Sequence, residues 1–224
     1  MNDAELHPAL RRSLFIAGTD TGVGKTVVSV ALLQALSRTG LRTAGMKPVA
    51  AGAVMTSHGW RNDDALELAA AGNVALPYDW LNPCCLPRPT APHLAALEAG
   101  LEIRIPLILA AFDRIRSRSE VIIVEGAGGW LAPIAPGKDG GTMQDVAMAM
   151  GLPVVLVVGI RLGCLNHALL TAAAIQRSGL VFAGWIANPV DPHFDDAGRY
   201  VDSLVERLSV PLLWRTPRVI LPGQ

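Results

Sequence analysis

The strongest chemical signal in the sequence is a glycine-rich stretch that also carries a lysine and a threonine. Residues 18–26 read Gly-Thr-Asp-Thr-Gly-Val-Gly-Lys-Thr. They follow a predicted strand and open a predicted helix, the context in which backbone N–H groups and a helix N-terminus form a cradle for phosphate. Lys25 would then reach the outer phosphates of a nucleotide, and Thr26 would ligate Mg²⁺. The alternative is a glycine-rich turn with a chance lysine, and the spacing from Gly18 to Gly24 is one residue longer than the standard pattern.

A carboxylate follows another apolar stretch. Residues 121–124 are Val-Ile-Ile-Val, and Glu125 comes next, ahead of Gly-Ala-Gly-Gly. A phosphate loop needs a second acid at the end of a neighbouring strand to hold the metal ion, and glycines let a ligand approach closely. We therefore predict that Glu125 holds the metal. The alternative is a strand-terminal glutamate in solvent.

Other polar residues allow more than one interpretation. Lys47, between Met46 and Pro48, could face an anion or extend along the surface into solvent, and the pattern does not choose between them. Where helices are predicted to begin, the pattern predicts Asp63 or Asp64 as one N-cap and Asn166 as another. We interpret Cys164 as a packed small residue, because the sequence places no base beside it.

The elements that must position these residues are short apolar runs alternating with helix-period segments. The predicted strands are 13–17, 42–49, 121–124, 154–158, 181–187 and 212–214. The predicted helices are 25–38, 64–71, 105–118, 142–150, 166–178 and 195–208, and 78–91 is predicted to be irregular. This alternation predicts an α/β fold in which a parallel sheet carries helices on both faces, as one domain over residues 1–224. Ligands of such sheets bind beyond the carboxyl ends of the strands, where the glycine-rich and polar stretches fall.

Composition limits the partners that the chain can have. Lys plus Arg number 19 and Asp plus Glu number 19, so no net charge attracts nucleic acid or an anionic membrane. No apolar segment reaches the roughly 20 residues of a membrane helix. The 3 cysteines have no spacing typical of disulfide frameworks or metal knuckles. We predict a cytoplasmic protein with no nucleic-acid or membrane partner.

The motifs together resemble one enzyme family over nearly the whole chain. The motifs that carry the resemblance are 18–26, Lys47-Pro-Val, 61–62 with 64–65, 89–90 with 92–93, 124–130, 162–167 and 183–188. On these residues the chain resembles the dethiobiotin synthetases, which have a P-loop NTPase-type fold. The resemblance implies an ATP- and Mg²⁺-dependent ligase that closes 7,8-diaminononanoate and CO₂ into dethiobiotin through a phosphorylated carbamate, in biotin biosynthesis. It also implies a homodimer.

The resemblance implies a role for each residue that matches a motif. Lys25 and Lys47 would be catalytic, flanking the carbamate and the transferred phosphate. The implied Mg²⁺ ligands are Thr26, Asp64 and Glu125. The implied nucleotide-binding residues are Gly22, Val23, Gly24, Lys25, Thr26, Val27, Asp64, Glu125, Gly126, Ala127, Gly128, Asn188, Pro189, Pro217, Arg218 and Val219. The implied substrate-binding residues are Thr21, Lys47, Ala51, Gly163, Cys164, Asn166 and Tyr200, with 163–166 and Tyr200 at the boundary with the partner subunit.

Two positions depart from the family pattern. Gly22 stands where better-known bacterial members have a glutamate, and Ala51 stands where they have a serine that contacts the substrate. An alternative function is a regulatory P-loop ATPase switch of the partition or site-selection type, but such proteins carry a lysine at about the place of Asp20. A guanine switch would need a lysine where this chain has Pro189.

Overall fold

The computed structural model describes residues 6–138 and 140–217. The strands are β1 (Leu14–Gly18), β2 (Thr43–Met46), β3 (Val49–Ala51), β4 (Val54–Thr56), β5 (Gly59–Arg61), β6 (Cys84–Leu86), β7 (Val121–Glu125), β8 (Val154–Ile160), β9 (Phe182–Pro189) and β10 (Leu212–Arg215). The helices are α1 (Lys25–Arg38), α2 (Asp63–Ala71), α3 (Tyr78–Leu81), α4 (Pro92–Glu98), α5 (Ile105–Arg116), α6 (Met143–Met150), α7 (Cys164–Arg177) and α8 (Ala197–Arg207).

Six strands form one parallel sheet in the order β10-β9-β8-β1-β7-β2. The register pairs Ile16 of β1 with Glu125 of β7, and Met46 of β2 with Val124 of β7. The carboxyl ends of these three strands are therefore adjacent. The phosphate-loop sequence, Lys47 and Glu125 consequently meet at one edge of the sheet.

The hydrophobic core lies on both faces of the sheet. Along β1, Leu14 and Ile16 pack into one cluster with α1, whereas Phe15 and Ala17 face the cluster that contains α5 and α7. Every residue of β1, β7 and β8 is buried, as expected for parallel strands covered by helices on both sides. The predicted α/β layering is confirmed. One domain over residues 1–224 stays a prediction, because that range includes residues outside those described.

The edge strand β2 is covered by neighbouring chain. The Thr43 N–H donates to Asn73 Oδ1 at 2.8 Å, and the Asn73 N–H donates to the Thr43 carbonyl at 3.1 Å. Further along, the Lys47 N–H donates to the Leu81 carbonyl at 2.7 Å. These bonds satisfy backbone groups that point away from β7.

The predicted strand 42–49 is wrong in its second half. β2 ends at Met46, and the chain leaves the main sheet at Lys47 and Pro48 before β3 pairs with β6. The predicted irregular segment 78–91 contains α3 and β6, and the sequence prediction also missed α4 and the β4–β5 hairpin. Three-residue strands and one-turn helices are too short to show a hydrophobic period, so tertiary pairing decides them.

Two predicted N-caps are also wrong. Asn62 caps α2, since its Oδ1 accepts from the Ala65 N–H at 3.3 Å, and Asp63 and Asp64 lie in the first turn. The N-cap of α7 is Gly163, with φ of 91°, so Asn166 lies inside the helix. Both helices therefore begin earlier than the predicted starts at residues 64 and 166. Among the described helices, none is long and apolar enough to cross a bilayer.

Candidate active site

A cavity of about 800 Å³ opens at the carboxyl edge of the sheet. Its floor is formed by the residues that follow β1, β2 and β7, the strands that the register places side by side. Of the predicted site residues, the structure brings the following to its wall: Thr21, Gly22, Gly24, Lys25, Thr26, Val27, Lys47, Ala51, Asp64, Glu125, Ala127 and Gly128.

The phosphate-loop sequence forms a tight turn between β1 and α1. Gly22 and Gly24 have φ of 73° and 86°, a left-handed conformation that glycine adopts without steric cost. The Lys25 ammonium is buried and donates to the Asp20 carbonyl at 2.9 Å. Burial lowers the pKa of Lys25 to about 8, and the nearby charge of Lys47 contributes to the lowering. The strand, loop and helix that the sequence predicted are all present.

Lys47 lies between two carboxylates. It is only 5% exposed, so the surface alternative is wrong. Its Nζ donates to Asp64 Oδ2 at 2.9 Å and to Glu125 Oε1 at 2.5 Å. Burial opposes the charge on Lys47, but the two carboxylates outweigh it and hold the pKa of Lys47 above its usual value. Burial likewise works to raise the pKa of Asp64, yet Lys47 outweighs that effect and holds it below the usual range.

The predicted metal ligands present hard oxygen donors to one point. Glu125 is fully buried, which excludes the solvent-exposed alternative, and its Oε1 accepts from the Thr26 hydroxyl at 3.0 Å. Its other oxygen, Oε2, is buried and has no hydrogen-bond partner. Within residues 6–138 and 140–217, no group of three or more His, Cys, Asp and Glu side chains could hold a metal. Two carboxylates and a hydroxyl still fit Mg²⁺, which takes few protein ligands and completes its shell with phosphate and water.

Comparisons with known proteins show the family to which this chain is related. A family model described as an AAA domain matches residues 12–220. An ATP-dependent dethiobiotin synthetase from Xanthomonas axonopodis pv. citri is 50% identical over 94% of this chain and 91% of its own length. One from Aromatoleum aromaticum is 49% identical over 93% of this chain and 91% of its own. The chain belongs to the ATP-dependent dethiobiotin synthetase family.

Solved structures with low sequence identity show the fold alone. The septum site-determining protein MinD from Pyrococcus horikoshii OT3 matches with a TM-score of 0.51 at 16% identity, over 93% of this chain and 82% of that one. The signal recognition particle 54 kDa protein from Aeropyrum pernix K1 matches with a TM-score of 0.54 at 16% identity, over 96% of this chain and 44% of that one. The predicted P-loop NTPase-type fold is confirmed.

Several residues that the family resemblance implied do not line this cavity. On the nucleotide side these are Val23, Gly126, Asn188, Pro189 and Pro217. On the substrate side they are Gly163, Cys164, Asn166 and Tyr200. Arg218 and Val219 lie outside the described residues. The roles of all these residues stay predictions.

Cys164 packs as a small core residue. It is buried, and burial raises the pKa of its thiol. A thiol with a raised pKa holds little thiolate at neutral pH and is a poor nucleophile. The structure therefore agrees with the interpretation of Cys164 as a packed residue.

The wall opposite the phosphate loop contains residues that sequence reasoning gave no role. Asn62 lies there, and its Nδ2 donates to the Ala51 carbonyl at 3.4 Å. The segment from Pro89 to Pro92 also lines the cavity. Both stretches belong to motifs that carry the family resemblance, and only that resemblance could have indicated that they line the site.

Sequence reasoning also missed an ion pair that supports the loop. Arg161 Nη2 lies 2.9 Å from Asp20 Oδ2, and Asp20 Oδ1 accepts from the Thr21 N–H at 2.7 Å. Asp20 therefore connects the phosphate loop to the segment that follows β8. The pairing joins residues 141 positions apart, so no local pattern could predict it.

Proposed function

We propose that this chain is a dethiobiotin synthase, which uses ATP to close 7,8-diaminononanoate and CO₂ into dethiobiotin. The observation that carries the proposal is the pair of buried lysines, Lys25 and Lys47, that face one cavity beside a phosphate loop. The substrates of this reaction are a triphosphate, a carbamate and a carboxylate, which are all anions. Two buried cations and a row of loop N–H groups match that charge.

Each lysine has a distinct role in the proposed reaction. Lys25 releases the Asp20 carbonyl and donates instead to the outer phosphates as they arrive. Lys47 lies at the base of the cavity, where it binds the carbamate oxygens and stabilises the charge that develops during phosphoryl transfer. The carbamate oxygen takes the γ-phosphoryl group of ATP and ADP leaves, which gives a phosphorylated carbamate. The second amine of the diamine then attacks the carbamate carbon, a C–N bond forms and phosphate leaves. The proton that the attacking amine loses is taken up by the departing phosphate, so the reaction requires no placed histidine.

Thr26, Asp64 and Glu125 are the residues that would hold Mg²⁺. Their donor atoms are a hydroxyl and two carboxylates, and the unpartnered Oε2 of Glu125 is a donor still available. When bound, the ion supplies positive charge that offsets the phosphate oxygens. Lys47 forms ion pairs with the same two carboxylates.

A homodimer would complete the substrate site. The cavity of their own chain is not lined by Gly163, Cys164, Asn166 or Tyr200. This is expected if these residues bind the substrate in the cavity of a partner subunit. Leu162 is 77% exposed beside them, a large apolar side chain of the kind that marks protein interfaces. Two further exposed leucines, Leu131 and Leu170, line a second cavity of about 340 Å³. We place the two-fold contact at this face.

The nucleotide base would lie near the end of β9. Asn188 and Pro189 end that strand beside the phosphate loop, and Pro217 follows β10 next to it. A cytoplasmic location and the absence of nucleic-acid and membrane partners remain predictions from the sequence.

The experiment that tests the proposal is ATP turnover with and without 7,8-diaminononanoate and bicarbonate, with product detected by mass spectrometry. We expect ADP release to depend on the diamine and dethiobiotin to form in equal amount. A regulatory ATPase switch would hydrolyse ATP at the same rate without the diamine. ADP release that ignores the diamine, with no dethiobiotin formed, would refute the proposal.

A further inference from the structure

The phosphate loop is held by a buried chain of hydrogen bonds from residues that do not line the cavity. The Asn188 side chain, at the end of β9, donates from Nδ2 to the Val23 carbonyl of the loop at 2.8 Å. Asn188 Oδ1 in turn accepts from the Thr216 hydroxyl at 2.5 Å. Both side chains are buried, with 5% of Asn188 and 3% of Thr216 exposed. Water therefore cannot easily replace either bond.

The orientation of the Asn188 amide follows from these two partners. A carbonyl only accepts hydrogen bonds, so the Val23 carbonyl requires the nitrogen of the amide and not its oxygen. The amide oxygen must then point the other way, toward Thr216. A hydroxyl that donates to this oxygen favours the one orientation that supports the loop. The Thr216 backbone is itself anchored, because its N–H donates to the Ala187 carbonyl of β9 at 2.9 Å.

Asn188 also packs directly against the loop backbone. A Cβ atom added at Gly24 would lie 2.0 Å from Asn188 Nδ2, so the amide fills the space that a side chain there would need. Gly24 and Lys25, which follow Val23 in the chain, line the cavity. A rotation of the Asn188 amide would therefore be transmitted through Val23 and Gly24 to the face that holds phosphate.

We propose that Thr216 is a positioning residue for the phosphate loop, acting through the amide of Asn188. The proposal rests on the proposed function only in that the loop binds the phosphates of ATP. Thr216 is not among the residues predicted to bind the nucleotide, and its contribution is to keep the Val23 carbonyl and the loop N–H groups in the arrangement that binds phosphate. Loss of the hydroxyl would weaken nucleotide binding and leave the binding of the diamine unchanged.

The test compares two variants that each remove a buried threonine hydroxyl, one just after the edge strand β10 and one in the edge strand β2. Thr216→Val removes the donor to Asn188. Thr43→Val, in β2 at the opposite edge of the sheet, removes a hydroxyl that lies 2.6 Å from Ser37 Oγ and far from the loop. ADP binding is measured by titration calorimetry, steady-state KM values are measured for ATP and the diamine, and thermal unfolding is followed for each protein.

We expect Thr216→Val to raise the dissociation constant of ADP and the KM of ATP about tenfold, because part of the binding free energy must then restore the Asn188 orientation, and one hydrogen bond to a buried group contributes about that much. The KM of the diamine and kcat should stay within about twofold. Thr216→Ser, which keeps the hydroxyl, should bind ADP like the unmodified chain. Thr43→Val should lower the unfolding temperature without changing ADP binding.

A double variant tests whether Thr216 acts through Asn188. If it does, adding Thr216→Val to Asn188→Ala should weaken ADP binding no further than Asn188→Ala alone. Additive losses would overturn the proposal, as would unchanged ADP binding in folded Thr216→Val.

Two remaining outcomes are also informative. If Thr216→Val does not fold, the smaller Thr216→Ala replaces it, and failure of both while Thr43→Val folds would assign Thr216 a structural role and overturn the proposal. A wild-type protein that binds ADP but forms no dethiobiotin would refute the proposed function, and the ADP titrations would still decide the role of Thr216.

Discussion

Lys47 controls the charge balance of the cavity. It is the hydrogen-bond donor that connects a fully buried carboxylate, Glu125, to a half-buried one, Asp64. The sequence could not predict this, because the partners lie 17 and 78 residues away and a lysine beside an apolar strand is as often on the surface. The structure replaces that ambiguity with a single arrangement.

Lys47→Ala is predicted to lose activity and stability together. The rate should fall by about 10²-fold or more, since one stabiliser of developing charge is removed. Glu125 would also be left buried without its cation, and breaking a buried ion pair typically costs about 3–5 kcal/mol. Dethiobiotin formation and urea unfolding measure the two effects.

Lys25→Ala is the matched comparison for the loss of one buried lysine. Its ammonium donates to a backbone carbonyl, so its removal deprives no buried carboxylate of a hydrogen bond. We expect a similar loss of rate with a much smaller change in the free energy of unfolding. Equal destabilisation by the two variants would contradict the assigned contacts, and near-normal turnover in either would remove that lysine from the mechanism.

Asp64→Asn is predicted to raise the Mg²⁺ concentration that the reaction requires, and to raise it more than Asp63→Asn does. Asp64 lines the cavity and binds Lys47, whereas Asp63, its neighbour in the first turn of α2, is exposed and not part of the cavity wall. Activity measured over a series of Mg²⁺ concentrations should shift to higher concentration for Asp64→Asn alone. Equal or reversed shifts would move the ligand to Asp63 or to neither residue.

At the scale of the element, the phosphate loop combines two glycines with different constraints. Both Gly22 and Gly24 have positive φ, but a Cβ at Gly22 meets nothing within 4 Å, whereas one at Gly24 meets Asn188 at 2.0 Å. The conformation alone costs a non-glycine residue roughly 1–2 kcal/mol. Only Gly24 carries an additional steric constraint.

Gly24→Ala is therefore predicted to disrupt the loop, and Gly22→Ala to be tolerated. For Gly22→Ala we expect a loss of about 1–2 kcal/mol in the free energy of unfolding, with ATP binding retained. Gly24→Ala must also displace the Asn188 amide, so ADP affinity should fall by more than tenfold. Urea unfolding and ADP titration of both variants test this, and similar ADP affinities would show that Asn188 yields without consequence.

Elements whose signal is local could be predicted from the sequence. α1 begins and ends at the predicted residues, because a glycine-rich turn, an apolar period and a terminal glycine all lie within it or beside it. The cavity wall near Pro89 could not be predicted, because β3 and β6 are three residues long and form only by pairing with each other. The cap at Asn62 was missed because three capping residues follow one another and the sequence alone does not choose among them.

At the scale of the whole molecule, the distribution of site residues predicts dependence on assembly. The two lysines proposed as catalytic line the cavity of their own chain, whereas Asn166, in α7, does not. If each site combines the lysines of one subunit with Asn166 of its partner, an inactivating substitution of a lysine and one of Asn166 can be placed on different subunits of the same dimer. A shared site makes activity a property of the dimer.

Mixing inactive Lys25→Ala with an inactive Asn166 variant is predicted to restore part of the activity. In a hybrid dimer one site receives both lesions and the other receives neither, so one site works. Product formation is measured after subunit exchange, with the hybrid confirmed by native mass spectrometry. A confirmed hybrid that stays inactive, or a monomer by sedimentation at assay concentration, would contradict the shared site.

The covering of β2 limits how copies of this chain can associate. An open edge strand offers unpaired N–H and C=O groups to which a strand from another molecule can add, and such addition leads to aggregation. Here Asn73 and Leu81 already occupy the outward backbone groups of Thr43 and Lys47. Self-association through a continuous intermolecular sheet is therefore disfavoured at this edge, because these backbone groups are not available to a strand from a second copy.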